Sequence, residues 1–190
     1  MPRPFVRLAL LVGGAALVAS CSGPPAAAAS PLVTQGVLAP SGPAVTYDPV
    51  AAPEGARVAV EVTAHRGATT ATFRVEGMVP GRGYAVHAHV RPCGPSGADA
   101  GPHYQDRIDP AATPAKPSSD PAYANPRNEI WLDLRTDAAG DGTATTTVPF
   151  VFTDRAPGSV VVHEKEMTAT AHGQAGTAGG RLACLTSVWR

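Results

Sequence analysis

Three of the six histidines of this chain stand within "GYAVHAHVRPCGPSGADAGPHY": His87, His89 and His103, with Cys93 between them. A fourth, His163, ends the apolar run "SVVV". Neutral imidazole is the commonest metal ligand among side chains, so the first chemistry these residues suggest is metal binding. Alternate residues of an extended strand share a face. His87 and His89 therefore present two rings side by side, while Tyr84, Val86, Ala88 and Val90 point the other way, into a core. Two ligands on one strand make a stiffer platform than two on a loop. Alone, an H-x-H pair is a weak signal, because exposed histidines produce it too, and a lone His163 on an apolar strand is ordinarily a hydrogen-bonded structural residue.

Other elements must hold these rings in place. "ARVAVEVTA" alternates, with Val58, Val60 and Val62 on one face and Ala59 and Glu61 on the other. "HRGA" turns the chain and "TTATFRVEGM" returns, a hairpin by period and punctuation. After the turn "PGRG" come "YAVHAHV", "EIWLDLRT", "GTATTTVPF", "SVVVHEK" and "GRLACLTSV". From Pro31 to Pro53 the pattern is irregular, with one short strand expected at "AVTY". No segment has a helical period. Seven or eight short strands between Gly/Pro turns predict an antiparallel sandwich or barrel. The run from Tyr104 to Asn128 carries five prolines (at 110, 114, 117, 121 and 126). A connection that long in a compact domain is usually functional or disordered.

Composition bounds the rest. A chain of 190 residues suggests one domain with appendages, and zero formal net charge gives no reason to expect nucleic acid as a partner. Twenty Gly and twenty Pro against few aromatics call for an aliphatic core and many turns. "MPRPFVRLALLVGGAALVASC" has Arg3 and Arg7, then an apolar run from Leu8 to Val18. This is the layout of an export signal over residues 1–20, too short for a membrane span. Small residues ahead of Cys21 resemble the lipobox of bacterial lipoproteins. Cys21 is thus expected to be lipidated, with residues 21–31 as a flexible tether and 32–190 as the folded domain; the plain alternative is an ordinary signal peptide. Setting Cys21 aside leaves Cys93 and Cys184, which in an exported domain are expected to pair.

The order of the motifs "HAH" (87–89), Cys93, "AGPHY" (100–104), "VVVHEK" (160–165) and "TAGGRLAC" (177–184) resembles the copper/zinc superoxide dismutase family over roughly residues 56 to 188. The resemblance implies an eight-stranded antiparallel Greek-key β-barrel, a flattened sandwich. It implies one copper per chain on His87, His89, His103 and His163, with His103 also acting in catalysis. It maps the disulfide to Cys93 and Cys184. It makes Arg181 the guide for superoxide, an anion that a permanently charged guanidinium attracts and orients.

The chain departs from the family where zinc is bound. Between Tyr104 and Asn128 there is no histidine, and Asp106, Asp109 and Asp120 are poor replacements, since zinc favours N and S donors. At the place of the zinc-ligand aspartate stands Glu129. The resemblance is therefore to copper-only members, in which a glutamate takes zinc's place and hydrogen-bonds the bridging histidine, here His103. An exposed glutamate at a strand entry is the bland reading. Four residues after His163 the usual aspartate is Met167, and the following loop is short, so an open site is expected, with Lys165 as weak support for anion guidance. His65 is expected in an exposed turn, and His172 has no assigned role.

The expected activity is copper-dependent disproportionation of superoxide to O2 and H2O2 by an enzyme lipid-anchored outside a bacterial cell membrane. The rival from another class is a copper-sequestering envelope lipoprotein of the same fold without turnover, against which the presence of Arg181 speaks. A zinc-binding structural domain using the same imidazoles is a third.

Overall fold

Valine alternation builds the longest hairpin of the molecule. In this computed structural model, which describes Met1, residues 30–113 and residues 115–190, β3 (Arg57–His65) and β4 (Ala68–Glu76) pair antiparallel from Arg57↔Glu76 to His65↔Ala68. Val58, Val60 and Val62 are buried with Phe73 and Val75 opposite. The link is Arg66-Gly67, both at positive φ (51° and 81°), the geometry of a tight turn that follows the strand twist. His65 beside it is exposed. The expected signal at 1–20, Cys21 and nearly all of the tether lie outside the described residues.

Two four-stranded antiparallel sheets face each other. The first has the order β1-β3-β4-β8, adding β1 (Leu32–Val37) and β8 (Gly142–Val148). The second has the order β2-β10-β9-β6, from β2 (Ala44–Thr46), β10 (Arg181–Thr186), β9 (Ser159–His163) and β6 (Val86–His89). Connections that leave one sheet and return to it from the other are of Greek-key type. A two-stranded ribbon pairs β5 (Gly83–Tyr84) with β7 (Leu134–Arg135). Among the described residues the single helical element is a 3-10 turn at Gly97–Ala100. Between the sheets lies one aliphatic core that includes Val60, Phe73, Val86, Val160, Val162 and Leu185.

Eight strands thus form the two main sheets of an all-β sandwich. Three details differ from the sequence expectation. The barrel is not closed by hydrogen bonds, because the outer edge of β6 is occupied by loop segments instead of a strand of the first sheet. β1 lies in the region read as irregular. It is a half-exposed edge strand whose Gly36 packs so closely that a Cβ there would fall 2.6 Å from Ala44 Cβ, so partners rather than its own pattern define it. Of "EIWLDLRT" only Leu134–Arg135 is ladder strand. Glu129 and Trp131 make single bridges, to Gln105 and His87.

Candidate metal centre

Sheet register decides which residues meet. His87 lies opposite Val161 and His89 opposite Ser159, while Val86 and Ala88 enter the core. On β9, Val161 and His163 share the outward face with His87 and His89. That face is not exposed: the loop 91–104 covers it, pinned by the Cys93–Cys184 disulfide, which forms as expected with a Cα–Cα distance of 5.8 Å. Ala100, Val161 and Cys184 make a second small core beneath this loop.

The loop then returns alongside β6. Val90 N–H donates to Pro102 O (3.1 Å) and Tyr104 N–H to Ala88 O (2.9 Å), which sets His103 across from His89. At the other end of β6, Leu132 N–H donates to Val86 O (2.8 Å) and Ala88 N–H to Ile130 O (3.2 Å). Glu129 stands where these two segments converge. Four imidazoles are thereby gathered from three separate parts of the chain, each offering one ring nitrogen, all within 4.8 Å of one another. Among the described residues this is the one such cluster.

Hydrogen bonds at the far side of each ring fix which nitrogen is free. His89 Nδ1 faces Gly101 O at 2.8 Å, and His163 Nδ1 faces Gly179 O at 3.5 Å. His103 Nδ1 lies 2.9 Å from Glu129 Oε2. His87 Nε2 lies 2.6 Å from Thr168 Oγ1. With those nitrogens as donors, the inward atoms are lone pairs: Nε2 of His89, His103 and His163, and Nδ1 of His87. His89 Nε2 and His163 Nε2 approach to 3.1 Å, and His87 Nδ1 is a buried atom without any partner. A buried acceptor such as His87 Nδ1 needs a partner, and a cation among the four converging lone pairs would serve it and the other three together. The donor set therefore fits a first-row transition metal.

Electrostatics agree. Burial, with repulsion from neighbouring imidazoles, holds His87 and His89 well below the ordinary imidazole range. Burial likewise pushes His163 down to about 3. Rings kept neutral are rings ready to ligate.

Glu129 is 2% exposed and collects three donors. His103 Nδ1 and Trp131 Nε1 (2.7 Å) reach Oε2, and Gln105 Nε2 (2.8 Å) reaches Oε1. Gln105 also accepts from Asp109 N–H (3.0 Å), and Asp109 accepts from Ser118 (2.5 Å). Asn128 bonds Arg107 and Tyr123. The proline-rich run is thus tied to the centre by side-chain hydrogen bonds, some to backbone and some to other side chains. Its Asp106 and Asp120 are not among the gathered ligands.

Arg181 reaches the site through a β-bulge. Register between β9 and β10 shifts between Arg181 and Ala183, which places Arg181 rather than Leu182 opposite His163. Its guanidinium donates to Gly97 O and Gly101 O. Arg181, His103 and His163 line a cavity of about 440 Å³ whose other wall includes Ile108 and Pro117. Lys165 bonds Thr177, and Met167 and His172 are exposed.

Gln105, Trp131, Asp133 and Thr168 were not singled out from the sequence. A signal exists for two of them. Glu129, Trp131 and Asp133 alternate with apolar Ile130, Leu132 and Leu134, a period-2 pattern that turns three polar groups toward one side.

What the fold and centre define is an all-β sandwich with a buried tetra-imidazole site. No protein-family model matches the chain, and no curated protein does. Among solved structures it is similar to a Cu/Zn superoxide dismutase from Brucella abortus, at 19% identity over 84% of this chain and 99% of that one, with a TM-score of 0.48. It is also similar to a proline-to-histidine mutant of an SOD-like protein from Bacillus subtilis, at 14% identity over 69% and 89%, with a TM-score of 0.45. The chain thus resembles Cu/Zn superoxide dismutase and superoxide dismutase-like proteins.

Proposed function

We propose that the chain is a copper-dependent superoxide dismutase without a zinc site, catalysing 2 O2•− + 2 H+ → O2 + H2O2. The observation that carries this reading is the inward convergence of four imidazole nitrogens beside a half-buried arginine. His87, His89, His103 and His163 would hold one copper. Copper held there would supply one-electron redox chemistry, taking an electron from one superoxide and returning it to the next. Burial lowers the pKa of Arg181 without discharging it, so its cation draws a small anion into the cavity it shares with His103 and His163. Glu129 holds the proton on Nδ1 of His103 and keeps that ring turned inward. Gln105 and Trp131 hold Glu129.

The amino-terminal pattern supports export with lipid anchoring at Cys21, and the disulfide is the kind of bond that persists outside the cytoplasm. The test is stopped-flow decay of superoxide with the copper-loaded chain, after metal analysis. Catalysis that scales with copper content is expected. Full copper occupancy without catalysis would leave the sequestering reading in its place.

A further inference from the structure

The ring of His87 is held from behind by Thr168 and, through it, by Asp133. With Met167 exposed and turned to solvent, no carboxylate from the segment after His163 reaches the centre. The next residue does so indirectly. Thr168, buried at 7% exposure, places Oγ1 2.6 Å from His87 Nε2 and 2.8 Å from Asp133 Oδ1. Its backbone N–H also donates to Asp133 Oδ2 (2.7 Å). Asp133 Oδ1 further accepts the N–H of Val86, the neighbour of His87 on β6 (3.1 Å). Direct contact between ring and carboxylate is absent, since His87 Nε2 to Asp133 Oδ1 is 3.9 Å.

A hydroxyl has one proton to give. Asp133 is already the acceptor of two backbone N–H groups and contributes no donor, so the Thr168 proton goes to it. Thr168 Oγ1 is then left to accept, and the only group it can accept from there is His87 Nε2–H. The ring's single proton is thereby kept on Nε2, and the lone pair falls on Nδ1, the atom that is buried without a partner and faces the other three rings. We infer that Thr168 and Asp133 are positioning residues that select the metal-ready tautomer of His87. The inference rests on the reading of His87 as a ligand, but not on turnover.

The relay is read first without metal. In the metal-free chain, nitrogen-15 NMR of the histidine rings should show His87 with a protonated Nε2 and an unprotonated Nδ1. Thr168→Ser keeps the hydroxyl and should keep that pattern and the Cu(II) affinity. Thr168→Val keeps the shape and removes the acceptor. It should shift His87 toward the Nδ1–H form and weaken Cu(II) about 10- to 100-fold in competition with a chelator, the usual range for a lost partner behind a metal ligand. Asp133→Asn puts an amide NH2 against one of three donors and should weaken Cu(II) in the same direction. An Nδ1–H tautomer in the unaltered metal-free chain overturns the inference, whether or not the variants fold. So does Thr168→Val with the parent's tautomer and an affinity within about twofold of it. A chain that binds copper with this pattern yet lacks dismutase activity would sink the proposed function and leave the relay standing.

Discussion

Glu129 Oε2 lies 2.9 Å from His103 Nδ1, joining a 2%-exposed carboxylate to the ring that sits across from His89. The carboxylate is a hub, with Trp131 and Gln105 as its other donors. Any change there is felt both by the ring and by the loop that Gln105 anchors.

Replacing Glu129 with Gln sets an amide NH2 against at least one N–H donor. We expect copper affinity to fall about 10- to 100-fold. We expect stability to fall by about 1–3 kcal/mol, the cost of a buried polar group left unpaired. Chelator competition and thermal unfolding of the metal-free variant measure the two losses separately. Unchanged affinity would show that His103 is oriented by its backbone alone.

Arg181 has no place among the four gathered ring nitrogens, so its removal should separate binding from turnover. Arg181→Ala is expected to keep full copper occupancy while lowering the second-order rate with superoxide about tenfold or more. The salt dependence of that rate should flatten in parallel. A variant as fast as the parent, with the same salt dependence, removes Arg181 from any guiding role.

Acid should destabilise the metal-free chain. His87, His89 and His163 have folded-state values below 6.5, with His163 at about 3, so the unfolded chain binds protons first. Below pH 6.5 the unfolded state carries more protons and stability falls as pH falls; above it these rings contribute nothing to the slope. Each fully shifted ring removes up to about 1.4 kcal/mol per pH unit in that window. Thermal unfolding at about pH 7.5 and about pH 5 should show the lower midpoint in acid, and copper should raise the midpoint most at the higher pH. An equal midpoint at both contradicts buried neutral rings.

Reduction of Cys93–Cys184, 91 residues apart, should destabilise the fold by at most about 4–5 kcal/mol in the chain-entropy model. The loop it pins carries Gly97 O and Gly101 O, the acceptors for Arg181, and Gly101 O also receives His89 Nδ1. Copper should therefore dissociate faster from the reduced chain, as read by transfer to a chelator. Equal transfer rates before and after reduction would confine the disulfide to stability.

Local pattern carried much of this. Alternation in "ARVAVEVTA" and "YAVHAHV" marked strands and their faces because a pleated strand repeats every two residues, and that period is written in the chain itself. Two cysteines beyond Cys21 limited the pairing to one choice. β1 escaped because a six-residue edge strand with a glycine owes its shape to Val58, Val60 and Val62 across the ladder. The strand expected over "EIWLDLRT" dissolved into single bridges because the edge of β6 is shared between residues 102–104 and 130–132.

Sequence alone determined which residue types were available, namely four imidazoles on or next to strands, one glutamate, one arginine and a cysteine pair. Tertiary structure alone decided their contacts. A bulge of one residue put Arg181 opposite His163, and a returning loop set His103 beside His89. Thr168 and Asp133, 35 residues apart, closed on His87. The two-residue period marks which face a side chain takes, but which distant residue stands opposite it depends on bulges and loop closure, and these join segments far apart in the chain.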